Sequence, residues 1–100
     1  MVVYILTETD YEFNTTKVVT KIGEDGYNYG EDAFILDQLI EKHKSVMMNE
    51  YHMNEAECNA SIKSFVKKDG LSKVEISSPH YSTIHLEFHK VEINLDGMDN

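Results

Sequence analysis

"STIHLEFHKVEINLD", residues 82–96, is the stretch that decides the fold. Ile84, Leu86 and Phe88 recur at every second position, the period of a strand that turns alternate side chains toward a core. Val91, Ile93 and Leu95 continue the alternation with the opposite parity. No turn-forming residue separates the two sets, so a β-bulge near His89–Lys90 is the economical account of the slip.

Moving upstream, "LSKVEIS", residues 71–77, alternates in the same way and predicts another strand, broken by Ser78-Pro79. Before it the period becomes helical. Leu36, Leu39, Ile40, His43 and Met47 fall on one stripe, which predicts a helix from Glu31 to between Met48 and His52. "NEAE", residues 54–57, has the form of a capping box, with Asn54 as cap and Glu57 three residues on. A second helix is expected to follow, with Cys58, Ile62, Phe65 and Val66 as its apolar stripe. Lys67, Lys68 and Gly70 are read as its C-terminal signature, with Leu71 closing a Schellman contact. At the N-terminus, "VVYIL", residues 2–6, and "KVVTKI", residues 17–22, predict two antiparallel strands joined through the polar stretch between them. The predicted order is ββααββ. The fold class is α+β: an antiparallel sheet of about four strands with a helical hairpin on one face.

One hundred residues predict a single domain, 1–100, with residues 97–100 frayed. The single cysteine excludes an internal disulfide and fits a reducing cytoplasm. The opening apolar run is too short for a signal peptide, and no segment has the length of a membrane span.

Charge is the unusual property. Eighteen acids oppose nine basic residues, all lysine, for a net charge of −9. Residues 1–41 hold nine acids and two lysines, or −7; residues 42–100 hold nine acids and seven lysines, or −2. One acidic face is therefore expected. Its field repels nucleic acid and speeds encounter with basic surfaces. Without arginine the chain also lacks the rigid fork used to grip phosphates and guanines.

The densest acidic stretch is "GEDGYNYGED", residues 23–32. An EF-hand register with Gly30 sixth puts tyrosines at the third and fifth positions, and one with Gly26 sixth puts Lys21 first; neither binds calcium. Flanking carboxylates also exclude a phosphate cradle. His85, Glu87 and His89 share one strand face, but His85 and His89 stand roughly 13 Å apart along it, too far for a shared metal. No metal, no cofactor and no catalytic residue is assigned. Cys58 is read as buried and inert, and His43 as a satisfied or boundary histidine. No spacing marks a nucleophile, base and orienter, so the chain is not read as an enzyme.

What remains is acids interleaved with tyrosines. Tyrosines anchor interfaces and acids steer toward them, whereas the competing reading is a solvated loop. The candidate partner-binding residues are Glu8, Asp10, Tyr11, Glu12, Glu24, Asp25, Tyr27, Tyr29, Glu31 and Asp32. Carboxylates so spaced can stand in for phosphates before a nucleic-acid-binding protein.

"VYILTETDYEFNTTKVV", residues 3–19, and "EFHKVEINLD", residues 87–96, resemble the ends of small phage and prophage accessory proteins of low-GC Gram-positive bacteria. In size, acidity and α+β content the chain is similar to anti-CRISPR and other anti-defence proteins. The resemblance implies an inhibitor that binds a host nuclease complex and blocks its nucleic-acid channel. It assigns no binding residue. The expected partner is a basic protein, with no direct nucleic-acid or membrane contact, and the resemblance implies that the chain works in the host cell cytoplasm. The alternatives are an immunity protein that neutralises a basic nuclease toxin, and a non-enzymatic structural or regulatory phage module.

Overall fold

The computed structural model describes residues 2–22 and 29–92, and the side chains of 3–19 and 34–92. The acidic stretch 23–28 and the tail 93–100, including the expected frayed end, lie outside the described residues.

The elements run β1 (Val2–Asp10), β2 (Thr15–Ile22), α1 (Tyr29–Asn49), α2 (Glu55–Ser61), β3 (Ile62–Val66), β4 (Ser72–Ser78) and β5 (Tyr81–Glu92). They form one antiparallel five-stranded sheet in the order β2-β1-β5-β4-β3, with the two helices on one face. The chain is thus α+β. The last strand is central: β1, from the start of the chain, pairs along one side and β4, the strand just before it, along the other. Leu6, Val74, Ile76, Ile84, Leu86 and Phe88 project from the strands into a core completed by Leu36, Met47, Met53 and Cys58. Cys58 is a buried free thiol.

Three expectations are corrected. First, helix two is short. It ends at Ser61, and Ile62 already has extended dihedrals (φ −106°, ψ 120°). Ile62–Val66 then pairs with β4, from Ile62↔Ile76 to Val66↔Ser72, and supplies the fifth strand. Phe65 and Val66 are exposed rather than part of a buried helical stripe. The winning signal was Asp69-Gly70 between two apolar runs, which is hairpin chemistry. Gly70 takes φ 84°, and its N–H donates to the Lys67 carbonyl at 2.9 Å, so the glycine closes a β-hairpin and not a helix.

Second, there is no bulge near His89–Lys90. β1 and β5 pair without a slip from Val2↔Glu92 to Asp10↔Ile84. Val91 simply joins His85, Glu87 and His89 on the face away from the helices, where its neighbour is Val3. An apolar residue there needs no change of parity. The irregularities lie elsewhere. Val19 is the extra residue where Leu6 pairs with Thr20 and Thr7 with Val18, and a second irregularity falls between Ile76 and Ser78.

Third, Thr7–Asp10 belongs to β1 rather than to the connection, because it pairs on both sides, with β2 and β5. The true turn is Tyr11–Asn14, with Asn14 at φ 52°, a conformation asparagine tolerates better than most residues. The capping box at α2 forms as expected. The Asn54 side chain accepts from the Glu57 amide at 2.8 Å, and the Glu57 carboxylate accepts from the Asn54 amide at 3.1 Å.

Candidate functional site: a tyrosine and carboxylate corner

The β1–β2 turn, the end of α1 and the β4–β5 turn meet at one corner of the sheet. Alternation on β1 puts Glu8 on the helix side, because its β5 partner Leu86 is a core residue. There the Glu8 side chain is only 12% exposed. Its carboxylate takes Lys17 Nζ at 2.9 Å and the Nε2 of His43 from α1. The other ring nitrogen of His43, Nδ1, lies 2.8 Å from the Tyr81 hydroxyl. A continuous chain therefore runs Lys17–Glu8–His43–Tyr81, and His43 is buried within it.

This chain explains two shifted groups. Burial would raise the Glu8 carboxyl, but hydrogen bonds from Lys17 and His43, with their charges, outweigh it and hold the group below its ordinary 4.5. Tyr81 is pushed up to about 12, by burial first and then by the charges of Tyr51, Glu8, Asp10 and Glu50. A phenol held this way stays protonated at neutral pH. It acts as a hydrogen-bond donor and not as a nucleophile.

Around the outer side of Tyr81 lies an open pocket of about 400 Å³, its walls including Tyr11, Glu12, Tyr51, His80 and Ser82. Tyr51 meets Tyr81 edge-on, with ring centres 5.1 Å apart. Tyr11 rests against His85 at 4.6 Å. Ser82 Oγ donates to Glu12 Oε2 at 2.5 Å, and the Glu12 amide donates to Asp10 Oδ1 at 3.0 Å. These bonds hold the turn and aim its carboxylates. Tyr11 and Tyr51 are about half exposed, and Phe13, in the same turn as Tyr11, is 69% exposed.

Among the residues nominated from sequence, the structure gathers Asp10, Tyr11 and Glu12 at this corner. Glu8 reaches it from inside and is not on the open surface. Glu24, Asp25 and Tyr27 lie outside the described residues, and Tyr29, Glu31 and Asp32 fall in α1 with their side chains outside the described set. Sequence reasoning missed Tyr51, Tyr81 and Ser82. They stand 40 or more positions from Tyr11; "VMMNEYHM", residues 46–53, marks Tyr51 as either a contact surface or core without linking it to Tyr11, and nothing local marks Tyr81 or Ser82.

The opposite, helix-free face of the sheet carries the histidines. One row crosses all five strands: Phe65, Lys73, Glu87, Thr7 and Val18. Lys67 pairs with Glu87 at 3.1 Å, and the His89 ring lies 3.0 Å from the Thr7 hydroxyl. Burial alone would raise Glu87, but Lys67 and neighbouring charges hold it below 4.5. Among the described residues, no three His, Cys, Asp or Glu side chains are placed to share a metal ion. Nor is any described helix long and apolar enough to cross a membrane. No protein-family model, curated protein or solved structure matches the chain, so this corner is read from its own chemistry.

Proposed function

We propose that the chain is an acidic protein–protein inhibitor of the anti-CRISPR or anti-restriction kind, which covers the nucleic-acid-binding surface of a basic host nuclease or effector. The single observation that carries this reading is the grouping of Asp10, Glu12 and Glu50 with the exposed rings of Tyr11, Phe13 and Tyr51 at one corner. Carboxylates there mimic phosphates and steer a basic channel inward. The aromatic rings supply the buried anchors that steering alone does not provide. The net charge of −9 extends the same field over the whole molecule.

The test is a pull-down from a low-GC Gram-positive host lysate with mass spectrometry, followed by a gel shift. The reading expects a captured protein that binds nucleic acid, and expects the chain to abolish that binding without shifting DNA or RNA itself. A captured toxin nuclease moves the assignment to an immunity protein. A direct shift of nucleic acid by the chain removes the mimicry account.

A further inference from the structure

The pocket at the tyrosine corner has the chemistry of a receptor for one organic cation. Three phenol rings, Tyr11, Tyr51 and Tyr81, contribute to its wall, and an aromatic face attracts a cation through its quadrupole. Glu12 lines the same pocket with a carboxylate fixed by Ser82. No lysine stands among the described residues that line it. The nearest one in the network, Lys17, is engaged by Glu8.

The sign of the local field points the same way. Tyr81 resists ionisation first because it is half-buried and then because the charges of Tyr51, Glu8, Asp10 and Glu50 act on it. Burial disfavours either charge there, whereas the part contributed by Glu8, Asp10 and Glu50 favours a cation over an anion. Among the lining side chains that can carry charge, His80 alone could favour an anion, and Glu12 opposes one. The volume, about 400 Å³, is enough for a single side chain and lies within the usual range of ligand sites.

We infer that this pocket receives the lysine or arginine side chain of a protein partner, held between the Tyr11 and Tyr51 rings with Glu12 as its counter-ion. This rests on the inhibitor reading and deepens it, since it names what the basic partner inserts.

The test uses the intact chain and small probes, with no partner present. Capped lysine (N-acetyl-lysine N-methylamide), capped arginine and capped norleucine are titrated while ¹H–¹⁵N amide shifts are followed. The expected result is saturable movement at residues 11, 12, 51 and 80–82 for lysine and arginine, and none for norleucine, which has a similar stem without charge. E12Q keeps the Ser82 bond and removes the charge. Y51L removes a ring, and Y51F keeps one. E12Q and Y51L should each weaken lysine binding roughly two- to fivefold, the size of one exposed cation contact, while Y51F retains it.

Equal shifts with norleucine, or no localised shifts, overturn the assignment. Spermidine provides the second arm: if it binds far more tightly than capped lysine, the pocket serves free polyamines and the side-chain assignment fails. The two readings fail separately. Probe binding without any nucleic-acid-binding partner sinks the inhibitor reading alone, and a confirmed partner with no probe binding sinks the pocket alone.

Discussion

His43 of α1 and Tyr81 of β5, thirty-eight positions apart, are joined by a 2.8 Å hydrogen bond inside the fold. Because Nε2 of the same ring faces the Glu8 carboxylate, that nitrogen carries a proton, and in the neutral ring Nδ1 accepts from the phenol. The bond ties the helical layer to the start of the central strand at the corner where the pocket opens.

The first prediction concerns that tie. His43→Leu removes the ring but keeps comparable bulk, and it strips the mostly buried Glu8 carboxylate of one of its two partners. The expected cost is about 1–3 kcal/mol in urea unfolding. In Glu8→Gln/His43→Leu the second change should cost less than it does alone, because no charge is left stranded. Additive effects would mean that Glu8 and His43 are energetically independent.

A second prediction concerns pH. Glu8 and Glu87 have lowered folded values, so their contribution to stability is present above 4.5 and is lost as pH falls through the folded values. Tyr81 has a raised value, so its contribution is full below 10.0 and is lost as pH rises toward about 12. Thermal melts should therefore fall at both ends. Glu8→Gln/Glu87→Gln should flatten the acid limb, and Tyr81→Phe the alkaline limb between those values. If Tyr81→Phe leaves the alkaline limb unchanged, Tyr81 is not the group responsible.

The third prediction concerns the turn that creates the fifth strand. Gly70 has φ 84°, and a Cβ added there meets nothing within 4 Å. Gly70→Ala therefore carries backbone strain without a clash, at a cost of about 1 kcal/mol. Gly70→Asn should cost less, since asparagine tolerates this region. Equal losses for both would indicate that the turn is held by something other than its dihedral angle.

Much of the fold was legible, because alternation and helical period are local signals. Ile84, Leu86 and Phe88 marked the central strand, Leu36 to Met47 marked α1, and Asn54 with Glu57 marked the start of α2. The failures have separate causes. Cys58, Ile62, Phe65 and Val66 fit a helical stripe, yet Ile62–Val66 also fits a short strand, and only the hairpin at Asp69-Gly70 decides between them. Val91 suggested a bulge because an apolar residue was assumed to need the core; the open sheet face accepts it beside Val3. At the site, Asp10, Tyr11 and Glu12 were visible as an acidic aromatic turn. Tyr51 and Tyr81 join them through tertiary packing, and no spacing in the chain encodes that.

The most direct measurement of the central claim is the rate at which the chain associates with its captured basic partner, by surface plasmon resonance at low and high salt. Exposed charges are screened beyond about 10 Å at 0.1 M salt, so wild-type association should slow steeply as salt rises. Glu12→Lys/Glu50→Lys should lower the low-salt rate by about tenfold or more and flatten the salt dependence, while the folded signal in circular dichroism is kept. Glu92→Lys, at the opposite end of β5 from Tyr81, should change the rate far less. If the folded Glu12→Lys/Glu50→Lys protein associates at the wild-type rate with the wild-type salt dependence, the acidic corner is not the surface that meets the partner.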